Sequence, residues 1–313
     1  MPKCLDSLVA SKYLENLDII VVSDGSPDNS LNIAYNYQKN HPGVFNVIDK
    51  PNGGHGSTIN RGIKEAKGRY FRVLDSDDWF DTDEFDNYLE KLSKVECDLV
   101  LSDTSKVFAF DNYRKELIPK VSFEPNVVID ADKIDYTSII GDIFITMSKV
   151  AYSVEVLRKS GLELYEKCFY VDVQYSLFVY SYVNSVVYFD NNVYQYFIGR
   201  PEQSVSTEGY KKHYKDSSKV MLSCAEYAAN HKFVDSAKDR WVYDSLIQKA
   251  SSNYINMRYL SLCVALKESK SFSKKLKTLG LLNIIYKKDK RVKLYKFSPV
   301  LFFLSLKLKD FLR

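Results

Sequence analysis

The sequence predicts an α/β fold, with a mainly parallel sheet carrying helices on both faces and a helical region at the C-terminal end. Three observations lead there. β-Branched runs alternate with segments of helical spacing over the first hundred residues. Polar, turn-forming clusters close those runs. From Lys211 onward the signals are mostly helical. Strands separated by single helices imply βαβ units and parallel pairing. Such sheets bind ligands outside the carboxyl ends of their strands.

The first run, Ile19 to Val22, is continuously β-branched, as expected of a strand buried on both faces. It stops at Ser23-Asp24-Gly25-Ser26-Pro27-Asp28, a turn by composition. Asn29 to Lys39 carries helical spacing through Leu31, Ala34, Tyr35 and Tyr37, and His41-Pro42-Gly43 breaks it. Val44 to Ile48 is the second strand. Pro51-Asn52-Gly53-Gly54-His55-Gly56 is a flexible loop. Ser57 or Thr58 is suited to cap the following helix, which runs to about Ala66 and is stopped by Gly68. Tyr70 to Leu74 is the third strand, Asp83 to Leu92 a helix, and Asp98 to Leu101 the fourth strand. Residues 104 to 205 are less regular, with a helix closing at Leu177 to Tyr182 and a strand at Ser185 to Phe189. This organisation divides the chain into an α/β domain, residues 1–206, and a helical basic region, residues 207–313.

Composition narrows the function classes. At 313 residues the chain has room for one large or two modest domains. Its 45% hydrophobic and 27% charged content is ordinary for a soluble globular protein. The 24 Tyr suit a sugar-binding cleft, since each offers a flat apolar face and a hydroxyl, and they suit a plain core equally. Five widely spaced Cys make neither a metal pair nor a disulfide framework, and a reducing compartment fits them best. Four scattered His disfavour a zinc site. Met1 to Leu17 has no apolar signal core, and no run approaches the ~18 apolar residues that span a bilayer. A cytoplasmic location is the resulting expectation.

The net charge of +4 is uneven, because Lys267 to Arg313 holds 14 Lys and Arg against 3 Asp and Glu. Lys293-Leu294-Tyr295-Lys296-Phe297 and Leu306-Lys307-Leu308-Lys309 alternate charge with apolar side chains. One reading is peripheral contact with the anionic inner face of the cell membrane. The other is a helix packed on the body with its Lys in water. Nucleic acid is disfavoured because the remainder of the chain is net acidic.

The densest chemical signal is Val73-Leu74-Asp75-Ser76-Asp77-Asp78-Trp79. An apolar run there stops in three carboxylates within four positions. A divalent metal held by one or two carboxylates, with diphosphate oxygens completing its shell, accounts for the crowded charge. So does an Asp-rich turn that caps the next helix.

Five segments stand in a telling order: Ser23 to Asp28, Asn52 to Gly62 (with Asn52, Gly54, Asn60 and Gly62), Asp75 to Trp79, Phe169 to Val173, and Tyr196 to Ser206. Together they resemble the motifs of the family 2 glycosyltransferases, over about residues 4 to 206. Two motif positions depart from the family pattern: Ser23 replaces its usual first Asp, and Val171 replaces the first acid of its Glu-Asp motif.

The resemblance implies a GT-A fold and inverting transfer of a sugar from a nucleotide-sugar donor, a UDP-sugar, to a saccharide or lipid-linked acceptor. Surface polysaccharide synthesis is the implied setting. Asp77 is implied to contact Mn²⁺ or Mg²⁺ directly, with Asp75 helping through the ribose or a metal-bound water. Asp24, Gly25, Ser26, Asn52, Gly54 and Asn60 are implied donor contacts, and Arg200 a diphosphate ligand. Asp172 is the implied base, its pKa raised by burial between Tyr170 and Tyr175. Without the family, Asp24 reads as a turn former, Asp172 as a helix cap, and Arg200 as a surface loop residue.

The resemblance also implies a hydrophobic strand ahead of Met1, since Pro2 to Leu8 reads as the helix that follows it. Either the start codon lies further upstream or the chain is truncated. A non-catalytic scaffold is therefore the main alternative. A nucleotidyltransferase is a weaker one, lacking its Gly-rich basic loop, and a Rossmann dehydrogenase is disfavoured because no G-x-G-x-x-G follows a strand.

Overall fold

The computed structural model describes residues 1–111, 113–118, 123–139, 145–199 and 206–311. The chain divides into two compact units, Met1–Pro201 and Glu202–Arg313.

The first unit runs α1 (Pro2–Val9), β1 (Ile19–Asp24), α2 (Ser30–Asn40), β2 (Phe45–Lys50), α3 (His55–Glu65), β3 (Tyr70–Phe71), β4 (Trp79–Phe80), α4 (Thr82–Leu92), β5 (Leu99–Phe108), β6 (Arg114–Leu117), β7 (Val128–Asp130), β8 (Val150–Ser153), α5 (Val154–Ser160), α6 (Asp172–Tyr180) and β9 (Ser185–Ile198). β1 and β2 pair in parallel as a separate ribbon. The other seven strands form one sheet, whose spine is β3-β8-β5-β9-β4.

That sheet is mixed, not mainly parallel as the sequence predicts. Only β5–β9 runs parallel within it, and β3, β4, β6, β7 and β8 all join antiparallel. The reason is that the irregular middle of the chain supplies β6, β7, β8 and β9, and apart from the short β5–β6 hairpin these join strands distant in sequence, which local patterning does not register. The predicted third strand also shrinks, pairing only at Tyr70 and Phe71. The predicted strands at Asp98–Leu101 and Ser185–Phe189 extend well beyond their apolar starts into polar sequence.

The core lies on β5 and β9. Leu99, Val100, Leu101, Val186, Val187 and Phe189 are wholly buried, and Phe80, Phe85 and Tyr88 from β4 and α4 cluster with Val100, Val187 and Phe189. Each such side chain contributes about 1.5–3 kcal/mol by leaving water. α4 starts where Asp81 accepts from the Glu84 N–H, and it places Asp83 and Glu84 in its first turn and Lys91 in its last, matching the helix dipole. β1, by contrast, is only half-buried along most of its length, not buried on both faces.

One irregularity positions the site. Between Ser102↔Phe189 and Thr104↔Tyr194, β9 advances five residues while β5 advances two. The extra residues are held by α4: Glu84 Oε2 accepts from Asn191 Nδ2 (2.9 Å) and the Asn192 N–H (3.2 Å), and Lys91 pairs with Asp190. The bulge re-aims the second half of β9, which then pairs antiparallel with Trp79 and Phe80.

The second unit contains α7 (Thr207–Asn230), α8 (Ala237–Asn256), α9 (Leu262–Thr278), α10 (Leu282–Lys288), α11 (Lys293–Phe297) and α12 (Pro299–Phe311). Ser206, Ser236 and Ser261 cap the first three of these helices. Its core is aromatic. The Tyr295 ring packs against Tyr254 (4.6 Å), Phe302 (5.6 Å) and Phe303 (6.1 Å). Among the described residues no helix is long and apolar enough to cross a membrane.

Candidate active site

The site begins at the end of β1. The parallel register sets Asp24 beside Lys50, and Asp24 Oδ1 accepts from Lys50 Nζ at 2.6 Å. Oδ1 also accepts from the Gly53 N–H (2.9 Å) and Ser57 Oγ (3.3 Å), and Oδ2 accepts from the Gly54 N–H (2.7 Å). Burial would raise this carboxyl. Lys50 and the two backbone donors outweigh burial and hold it below its ordinary value. Asp24 therefore ties the Asn52–Gly54 loop to the strand. Gly25 lies against Asn52, and Ser26 and Asn52 are exposed beside it. α3 starts at His55 with Gly54 as its N-cap, three to four residues ahead of the Ser57 or Thr58 cap predicted. Ser57 instead serves the Asp24 cluster, donating to Gly54 O at 2.7 Å.

The same loop receives a distant segment, residues 162–171, the strap between α5 and α6. The Lys167 N–H donates to Gly53 O at 2.5 Å. Asn60 pairs with the Leu164 backbone in both directions: its Nδ2 donates to Leu164 O (3.0 Å) and its Oδ1 accepts from the Leu164 N–H (2.9 Å). A Cβ on Gly56 would lie 2.3 Å from Tyr165 O. Gly54, at φ +77°, brings its backbone close to Lys167. The Gly and Asn pattern thus fits a segment 104 residues downstream, and the Asn60 amide is occupied in holding it.

The strap leads through Tyr170, at φ +67°, into Asp172, the first residue of α6. Here the structure corrects the sequence. Asp172 is exposed, while Val171, Val173, Gln174 and Tyr175 around it are buried. The open first turn of the helix turns this one side chain outward, where the helix dipole favours a carboxylate.

Asp75 and Asp77 lie between β3 and β4. Asp75 Oδ1 meets His55 Nε2 at 3.2 Å, and the Asp75 N–H donates to Tyr194 OH at 3.3 Å. Asp78 is separated from them by burial, at 1% exposure. It accepts from Tyr194 OH (2.6 Å) and the Phe197 N–H (2.8 Å), fastening β9 to the turn. Burial, with the charges of Asp77 and Asp75 beside it, pushes its carboxyl up to about 7 despite both donors.

Two side chains mark where these acids meet. Burial works to lower the His55 imidazole, but the Asp75 contact and the charges of Asp75, Asp172 and Asp77 raise it overall. Burial pushes the Tyr196 hydroxyl up to about 12, helped by the charges of Asp78, Asp75, Asp77 and Asp172. Carboxylates from the 75–78 turn and from the start of α6 therefore act on the same imidazole and the same phenol. Because His55 follows Gly54 directly, the Asp24 cluster joins this group. Arg200 lies outside the described residues, as does most of the Tyr196 to Ser206 segment.

His55, Lys50 and the strap carry roles that sequence reasoning missed. The signal for the strap was present in Gly53-Gly54-His55-Gly56, since clustered glycines mark close backbone approach. Nothing in the sequence pairs His55 with Asp75, because that contact depends on tertiary placement.

The donor set suits a hard cation. Asp75 and Asp77 offer oxygens and are both part-exposed. Among the described residues no group of three or more His, Cys, Asp or Glu forms a protein cage. Two carboxylates with positions left for substrate oxygens match how Mg²⁺ and Mn²⁺ sit at phosphate-transfer sites.

Residues 1–148 match the family described as glycosyl transferase family 2. That match covers a little under half of the chain's 313 residues. EpsH of Bacillus subtilis strain 168, described as a glycosyltransferase, is 38% identical over 108 residues, covering 34% of this chain and 30% of that protein. EpsJ of the same strain, described as an uncharacterized glycosyltransferase, is 38% identical over 98 residues, 31% of this chain and 28% of that protein. The chain thus spans less than a third of either relative. The S. aureus TarS 1–349 structure, in complex with UDP-GlcNAc, aligns with a TM-score of 0.68 at 17% identity, covering 99% of this chain and 87% of that one. That likeness, at its low identity, shows the shared GT-A fold.

Proposed function

We propose that this protein is a family 2 glycosyltransferase that transfers a sugar from a nucleotide-sugar donor, a UDP-sugar, to a saccharide or lipid-linked acceptor, with inversion. The observation that carries the reading is the Asp75–His55 contact beside the Asp24 loop, with the charges of Asp77 and Asp172 acting on the same imidazole. The UDP-GlcNAc and UDP bound in the TarS structures support a UDP donor.

In this reading Asp77 and Asp75 hold Mn²⁺ or Mg²⁺, which when bound offsets charge developing on the departing diphosphate. Asp24 holds the Gly53–Gly54 backbone against β1, where the loop approaches the nucleotide. Asp172, exposed at the start of α6, takes the proton of the acceptor hydroxyl. The strap and Asn60 fix its position. His55 steadies Asp75. Surface polysaccharide synthesis at the inner face of an anionic membrane is the setting proposed, with the basic second unit in contact with that membrane.

The test is release of UDP from UDP-sugars with and without EDTA. Metal-dependent UDP release that Asp77→Ala abolishes, in a variant that still folds, supports the reading. Release of pyrophosphate instead would favour nucleotidyl transfer, and no turnover with any UDP-sugar would favour a scaffold.

A further inference from the structure

Within the second unit, α12 is apolar on both sides. Phe302 and Phe303 face inward, at 1% and 0% exposure, against Tyr295. Val300, Leu301, Leu304 and Leu308 are exposed at 43%, 58%, 47% and 59%. At the turn of an α-helix these four fall within an arc of about 100°, opposite the buried pair. Leu294 and Phe297 on α11 are exposed too, so six of the fourteen exposed large hydrophobics among the described residues lie within residues 294–308. A solvated helix places polar side chains there. A contiguous apolar ridge marks a surface that something covers.

Charge says what covers it. Lys293 and Lys296 are exposed on the same short helix as Leu294 and Phe297, and Lys290, Arg291 and Lys309 are exposed close by in sequence. The two acids of this stretch are paired within the unit, Asp289 with Arg291 and Asp310 with Arg258. Lys307 turns inward and donates to the Arg258 and Leu260 carbonyls, leaving the apolar ridge clear. Apolar side chains between long basic ones match the boundary of an anionic bilayer, where acyl chains take the first and phosphates the second.

We propose that α11 and the outer face of α12 form an interfacial wedge that inserts into an anionic lipid bilayer. This deepens the membrane contact of the proposed function, and it is tested without any sugar transfer, so the two can fail separately.

The experiment is flotation of the full chain with phosphatidylcholine vesicles and with vesicles containing phosphatidylglycerol. Binding to the anionic vesicles, weakened by high salt, is expected. Leu301→Ser/Leu304→Ser/Leu308→Ser should cut partitioning roughly tenfold or more, with circular dichroism and melting unchanged because all three residues are exposed. Lys293→Glu/Lys296→Glu should weaken anionic binding selectively. If the triple variant misfolds, Leu304→Gln alone gives the same reading at smaller amplitude. The proposal is overturned if the wild type ignores anionic vesicles, if the leucine variants bind as well as wild type, or if ultracentrifugation shows a dimer through this face in a protein that binds no vesicles. UDP release with a soluble acceptor should be unaffected by these variants.

Discussion

Replacing Gly56 with Ala probes how closely α3 and the strap ahead of Asp172 are fitted. The new Cβ would stand 2.3 Å from Tyr165 O and 3.2 Å from Leu164 Cβ. The first obstacle is backbone and cannot rotate away, so the strap must retreat by roughly 1 Å, at the ~1–3 kcal/mol that overpacking costs. Retreat strains the Asn60–Leu164 pair and the Lys167–Gly53 bond, each worth about 1 kcal/mol. The displacement passes along the strap to Asp172, and a misplacement of about 1 Å costs on the order of 10² in rate. The assay pairs urea unfolding with kcat from UDP release. We expect a stability loss of about 1–3 kcal/mol and a fall in kcat of about 100-fold, with KM for the donor changing less. Wild-type stability together with wild-type kcat would refute the fit of strap to helix and its role in placing the base.

Three further outcomes follow from the same geometry. In metal-free protein, NMR titration of His55 should give a midpoint above 6.5, the ordinary value, because neighbouring carboxylates outweigh burial; adding Mg²⁺ should bring it down as Asp75 and Asp77 take the cation. The Asp78 carboxyl titrates near 7 in the fold against 3.8 unfolded, so the folded state holds an extra proton between those values and stability should decline as pH rises through that window. Asp78→Asn, followed by melting temperature against pH in EDTA, should flatten that decline, and an unchanged slope would assign it to another group. Lys50→Met leaves Asp24 in its donors' company but without its cation, and should lower stability by roughly 1–3 kcal/mol in urea; no loss would show that the ion pair does not hold the loop.

How much of this was legible beforehand divides along physical lines. α2, α3 and α4, and the strands on either side of α2, follow local patterns of apolar spacing and turn chemistry, and the structure reproduces them within a few residues. The antiparallel members of the large sheet are not local. β4 is two residues long and β8 four, too short for periodicity to register, and β9 runs on through a polar bulge that only Glu84 and Lys91 make tolerable. The acids of the site could be named because carboxylates at strand ends demand an explanation. Their division of labour was hidden: Asp75, Asp77 and Asp78 are adjacent in sequence, yet burial assigns the last to fastening β9. Burial misled in the other direction at Asp172, because apolar neighbours in sequence surround the backbone of a helix start without covering its outward side chain.

The most direct measurement is calorimetric titration of the full chain with UDP, with Mn²⁺ and then with EDTA. The account predicts binding heat that requires the cation and disappears in Asp75→Ala/Asp77→Ala while Asp172→Asn retains it. Equal heat with EDTA, or no heat under either condition, would contradict a cation held at the 75–77 turn for a nucleotide.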